Sequence, residues 1–83
     1  MDVVLTRAAL VGLKAMPPKI AQRVRTNIGQ YAENPERLAN NVKALRGDRA
    51  GTLRLRVGEY RVLFVVSGST VKVVAIGHRS QIY

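Results

Sequence analysis

Leu53-Arg54-Leu55-Arg56-Val57-Gly58-Glu59-Tyr60-Arg61-Val62-Leu63-Phe64 reads as two strands and the turn that joins them. Arginine alternates with apolar side chains on both arms, the period-2 pattern of a sheet with one greasy face. Gly58-Glu59 fits a two-residue hairpin turn with glycine in its first central position. Val57 then pairs with Tyr60, and the register places Leu55 opposite Val62 and Leu53 opposite Phe64 on the face that packs. On the other face Arg56 lies opposite Arg61, and Arg54 lies opposite Leu63. Like charges directly opposed across strands normally destabilise a sheet. Guanidinium groups keep their charge at neutral pH and grip phosphate oxygens in a two-pronged fork, so the row implies a polyanionic ligand, most simply nucleic acid.

Downstream, Ser67-Gly68-Ser69 marks a second turn, and Val71-Lys72-Val73-Val74-Ala75-Ile76 is apolar enough for an interior strand. Its register is open. A three-residue loop puts Val71, Val73, Ala75, Gly77 and Arg79 on the arginine face, whereas a two-residue loop puts Lys72 and His78 there.

Upstream, the chain turns helical. Val3-Val4-Leu5 is a short strand, Thr6 a helix N-cap, and residues 7–15 a first helix. Pro17 and Pro18 interrupt it, and Pro18 suits the first turn of a second helix, where a missing N–H costs nothing. Ile20, Val24, Ile28 and Tyr31 fall on one face of that helix, which Asn34-Pro35 ends. Within residues 36–45, Leu38, Val42 and Leu45 allow another helical turn or two.

Composition narrows the classes. Eighty-three residues suit one domain spanning 1–83 with a single modest core. There are no cysteines and one histidine, so neither a disulfide framework nor an all-protein metal centre is expected, and no cofactor motif is present. No apolar run is long enough to span a bilayer and no signal-type segment opens the chain, which implies a cytoplasmic protein without a membrane partner. Fourteen Lys and Arg against five Asp and Glu give a net charge of +9. Such a field attracts phosphates or a strongly acidic protein.

Leu45-Arg46-Gly47, Leu53-Arg54-Leu55-Arg56, Tyr60-Arg61-Val62-Leu63-Phe64 and Gly77-His78-Arg79 with Ile82-Tyr83 together resemble the RelE branch of the RelE/ParE toxin superfamily. The resemblance covers almost the whole chain. It implies an α+β fold, with an N-terminal strand and a two-helix hairpin packed on a small, mainly antiparallel sheet. It also implies the toxin of a type II toxin–antitoxin pair, an endoribonuclease that cuts messenger RNA in the ribosomal A site by 2′-hydroxyl attack on the adjacent phosphate. Its partners would be the ribosome, its messenger and an acidic cognate antitoxin. By similarity Arg61 contacts the scissile phosphate, Arg79 holds that phosphate or assists the leaving group, and Tyr83 orients the nucleotide at the cut. Arg54 activates the hydroxyl or neutralises charge, and Arg46, Arg56, Lys72 and His78 bind RNA. Two positions depart from the family pattern, Thr52 and Arg54, each standing where active members commonly carry lysine.

The remaining polar residues have plainer expectations. Imidazole suits proton transfer near neutral pH, which gives His78 a possible second role as a base, although a histidine at a strand end is commonly structural. Glu59 falls in the turn, and Tyr31 and Tyr60 fall on core-facing positions. Two other readings remain: a ParE-like DNA gyrase inhibitor without nuclease activity, and a basic module that only binds nucleic acid.

Overall fold

The structure, a computed structural model, describes residues 1–82. Its strands and helices follow in the order β1 (Asp2–Leu5), α1 (Arg7–Lys14), α2 (Pro18–Glu33), β2 (Val42–Ala44), β3 (Leu53–Val57), β4 (Tyr60–Ser67) and β5 (Thr70–His78). Short 3₁₀ turns occupy Pro35–Asn41 and Gly47–Arg49. The five strands form one sheet in the order β1-β5-β4-β3-β2, with β1 parallel to β5 and every other pair antiparallel. No helix among the described residues is long and apolar enough to cross a membrane.

Both helices pack on one face of the sheet, and the core lies between. Leu13 of α1 and Val24, Ile28 and Tyr31 of α2 meet Leu55, Val62, Phe64, Val73 and Ile76 from the strands. Tyr31 and Phe64 touch edge to face at 4.9 Å, a geometry that aligns the positive edge of one ring with the negative face of the other. The expected stripe on α2 is there, with Pro18 at its first position and Asn34 at its end, although Ile20 is only half-buried. Gly12 lets α1 approach β5, since a Cβ there would collide with the carbonyl oxygen of Ile76.

The first hairpin has the register expected of it, residue for residue: Val57 with Tyr60, Arg56 with Arg61, Leu55 with Val62, Arg54 with Leu63 and Leu53 with Phe64. Gly58 has φ of +59° and no other residue of the turn is positive, the signature of a type II′ turn.

The second hairpin combines the two registers left open by the sequence. Ser67 pairs with Thr70, so the loop has two residues and Lys72 faces the arginine side opposite Val65. A β-bulge then intervenes: Phe64 pairs with Val73 but Leu63 pairs with Ala75, which leaves Val74 as an extra residue. Beyond it the alternation is inverted. Ala75 and Gly77 join the arginine side, as the three-residue loop required, while His78 pairs with Tyr60 on the helix side. The carbonyl freed at Val74 accepts the Thr6 hydroxyl at 3.0 Å, and the Thr6 oxygen accepts the Ala9 N–H at 3.2 Å. Thr6 is therefore the N-cap of α1 and the tie between that helix and the bulge.

The expectation of further helix within residues 36–45 needs correction. A 3₁₀ turn carries Leu38, but Val42–Ala44 is an edge strand paired with β3, Val42 facing Leu55 and Lys43 facing Arg54. A three-residue strand is too short for periodicity to show, and its pairing partner is what fixes it.

Candidate functional site

The helix-free face of the sheet gathers the cations. One row across the strands runs Lys43, Arg54, Leu63, Ala75, and the next runs Arg56, Arg61, Gly77. No carboxylate stands in either row. Each side chain is held there by strand alternation, so the apolar residues that build the core also aim the arginines outward.

Arg61 is the most constrained of them. Its residue is 9% exposed, and Nη1 donates to the carbonyls of Gly58 and Tyr60, at 2.9 Å each. The guanidinium is thus folded against the hairpin turn, which leaves it further donors. Gly77 across the strand offers no side chain above it. Ile82 comes within 3.6 Å of where a Cβ on Gly77 would stand, which brings the chain after β5 onto the arginine side.

Arg54 lines an open cleft of about 740 Å³ with Lys43, Ala44, Leu45 and Arg46. Its Nε is buried without a hydrogen-bond partner among the described residues. A buried donor left unmatched is uncommon in folded proteins. Here it belongs to a permanent cation between two others, a natural cradle for an anionic oxygen. Arg46 precedes the Gly47–Arg49 turn, and Arg49 Nη1 donates to the Ile82 carbonyl at 3.4 Å, so this loop and the end of the chain meet.

Arg79 is bound to the same turn as Arg61, through Glu59. Its amide donates to the Glu59 carbonyl at 2.9 Å, and its Nε meets Glu59 Oε2 at 2.7 Å. Both side chains are about 60% exposed, so water screens the pair and an incoming phosphate can compete with the carboxylate. The sequence reading missed this role of Glu59. The pairing of Tyr60 with His78 is the signal for it, because it sets Glu59 beside Arg79, but that register depends on the bulge.

The residues expected at the site thus divide. Arg46, Arg54, Arg56 and Arg61 share the open face and its rim, with Arg79 at the turn beside them. Lys72 lies on the same face but opposite Val65, four residues along β4 from Arg61, or roughly 13 Å at strand spacing. His78 is not on that face. Its ring sits on the helix side with Tyr60 edge to face at 5.5 Å, in a cup also lined by Gly12, Ala15, Met16 and Gln81. Tyr83 lies outside the described residues.

Residues 3–83 match the family described as the ParE toxin of the type II toxin–antitoxin system parDE. This chain belongs to the RelE/ParE toxin superfamily. It is 35% identical over 81 residues to Toxin RelG of Mycobacterium tuberculosis (strain ATCC 25618 / H37Rv), covering 94% of this chain and 90% of the relative. Among solved structures it is similar to the toxin–antitoxin complex RelBE2 from Mycobacterium tuberculosis, at 32% identity and a TM-score of 0.81, covering 94% of this chain and 96% of the other. It is also similar to the RelB–RelE antitoxin–toxin complex from Methanococcus jannaschii, at 27% identity and a TM-score of 0.75, covering 96% and 94%. The architecture of this RelE/ParE toxin is accordingly the expected α+β fold, and the chain is a toxin of a type II toxin–antitoxin system. In this RelE/ParE toxin the two positions expected to differ from the family pattern both adjoin the cleft: Arg54 lines it, and the Thr52 carbonyl accepts the amide of Leu45, another of its walls.

Proposed function

We propose that this toxin is an endoribonuclease that cuts messenger RNA in the ribosomal A site, with its open sheet face as the active surface. The observation that carries the reading is the arginine cluster: Arg54, Arg56 and Arg61 on one face, in cross-strand rows that hold no carboxylate, with the Arg54 Nε buried and unmatched among the described residues. RNA contains its own nucleophile. The 2′-oxygen attacks the adjacent phosphorus, the bond to the 5′-oxygen breaks, and the strand is left with a 2′,3′-cyclic phosphate and a free 5′-hydroxyl. An enzyme need only align these atoms, assist the proton transfers and neutralise the charge that grows on the phosphorane.

Arg61 serves the last task, because a guanidinium already held by two backbone carbonyls needs little reorganisation when charge develops. Arg79 exchanges Glu59 for a phosphate oxygen and holds the scissile group. Arg54 stabilises charge but cannot act as a base, since an arginine does not give up its proton at neutral pH. Arg46 and Arg56 bind the flanking backbone, Lys72 guides it at longer range, and Tyr83 stacks on the nucleotide at the cut. The neighbouring structures are toxin–antitoxin complexes, which supports an antitoxin partner here. With a charge of +9 on this chain that partner is acidic and covers the arginine face.

Primer extension on a defined messenger, with and without programmed ribosomes, tests the reading. Cuts within A-site codons that need ribosomes, and that fall by about 100-fold or more in Arg61→Ala, are the expected result. The matching family model bears the name of ParE, which favours a second reading, gyrase inhibition without cleavage. Intact messenger from a protein that arrests growth and blocks gyrase supercoiling would establish that one instead.

A further inference from the structure

We infer that His78 is a positioning residue of this site: it fixes the turn that follows β5 and so holds Arg79 in place, and it takes no proton from RNA. The assignment follows from what its ring nitrogen accepts. The Ser80 amide reaches His78 Nδ1 at 3.2 Å, and an amide N–H can only donate. Nδ1 therefore carries the lone pair, and the neutral ring keeps its proton on Nε2. The Ser80 hydroxyl lies 2.8 Å from the same nitrogen and can donate to it as well. The carbonyl of His78 accepts the Gln81 amide at 2.9 Å, so one residue ties down the Ser80 and Gln81 amides through side chain and backbone.

Arg79 sits in the middle of this loop. Its own amide donates to Glu59 and its Nε meets the Glu59 carboxylate. The ring of His78 is meanwhile lodged on the opposite side of the sheet from Arg56 and Arg61, against Tyr60 and the cup formed by Gly12, Ala15, Met16 and Gln81. A base must reach the proton that it removes. The nitrogen facing the turn is already committed, and the whole ring lies off the cationic face.

Asparagine separates positioning from proton transfer. Its side-chain oxygen can accept the N–H two residues on, as in an Asx turn, but it has no basic nitrogen. The chain holds one histidine, so a long-range ¹H–¹⁵N spectrum of labelled protein reads its tautomer without ambiguity. The proton is expected on Nε2, and a proton on Nδ1 at neutral pH would overturn the inference. Amide exchange gives a second readout: His78→Ala should speed exchange at Arg79 by about tenfold or more, while His78→Asn stays within about threefold of wild type. Unchanged exchange in His78→Ala would also overturn it.

The catalytic half of the inference rests on the nuclease reading. On programmed ribosomes His78→Ala should lower kcat by about tenfold with little change in KM, because a displaced Arg79 no longer meets the phosphate. His78→Asn should recover most of that loss. Asparagine as inactive as alanine would make His78 the base and defeat the inference. If wild type cuts no messenger at all, the nuclease reading fails, whereas the tautomer and the exchange rates still decide whether His78 holds the turn.

Discussion

The two faces of the sheet are written by the same twelve residues and follow different rules. On the helix side Leu55, Val57, Val62 and Phe64 are buried against α1 and α2, each replaceable only by something of similar volume. On the open side Arg56 stands directly across from Arg61, an arrangement that sheet stability alone disfavours. The contrast teaches where selection for folding stops and selection for a ligand begins, since alternation makes the two independent at neighbouring positions.

Substitutions on the two sides should therefore separate stability from activity. Phe64→Ala removes a ring that is 1% exposed and packed on Tyr31, and should destabilise by about 3–5 kcal/mol in urea titration. A loss below about 1 kcal/mol would mean that the closed face is less specifically packed than its burial indicates. Thr6→Ala severs the cap of α1 and the bond to the bulge together, and should cost about 1–2 kcal/mol in the same titration, with Thr6→Ser close to wild type. On the open face Arg56→Ala relieves the opposed charges and should leave the protein unchanged or more stable by about 0.2–1 kcal/mol. The same change should lower the salt dependence of RNA binding by about one phosphate contact. Measurable destabilisation in that variant would erase the distinction between the faces.

A smaller effect comes from Tyr31, whose phenol is raised above its ordinary 10.0 by burial. The folded state favours the neutral form, so the unfolded chain loses its proton first as pH rises. The contribution of Tyr31 is complete below pH 10.0 and is lost as pH climbs through the higher folded value. Tyr31→Phe should flatten the alkaline limb of a stability profile measured by thermal melting.

Much of this was legible in the sequence, and the limits have physical causes. The first hairpin was readable to the residue because a two-residue turn leaves no freedom of register. Thr6, Pro18 and Asn34 marked helix ends through local chemistry. Val42–Ala44 escaped because a strand of three residues shows no period and owes its form to a partner far along the chain. His78 and Glu59 were obscured together, since the placement of both depends on an extra residue at Val74 that nothing local in Val73-Val74-Ala75 announces.

That extra residue acts as a counter. If the ladder ran on regularly with Val74 paired to Leu63, Ile76 and His78 would turn to the cationic side and Gly77 would swing under α1, with not one amino acid changed. Which side chains stand on the cationic side is therefore set at this end by parity, odd or even, more than by which amino acids are present. A single residue gained or lost elsewhere in this stretch should then be far less tolerated than a substitution, whereas loss of the bulged residue itself keeps Ala75 opposite Leu63 and every later side chain on its present side.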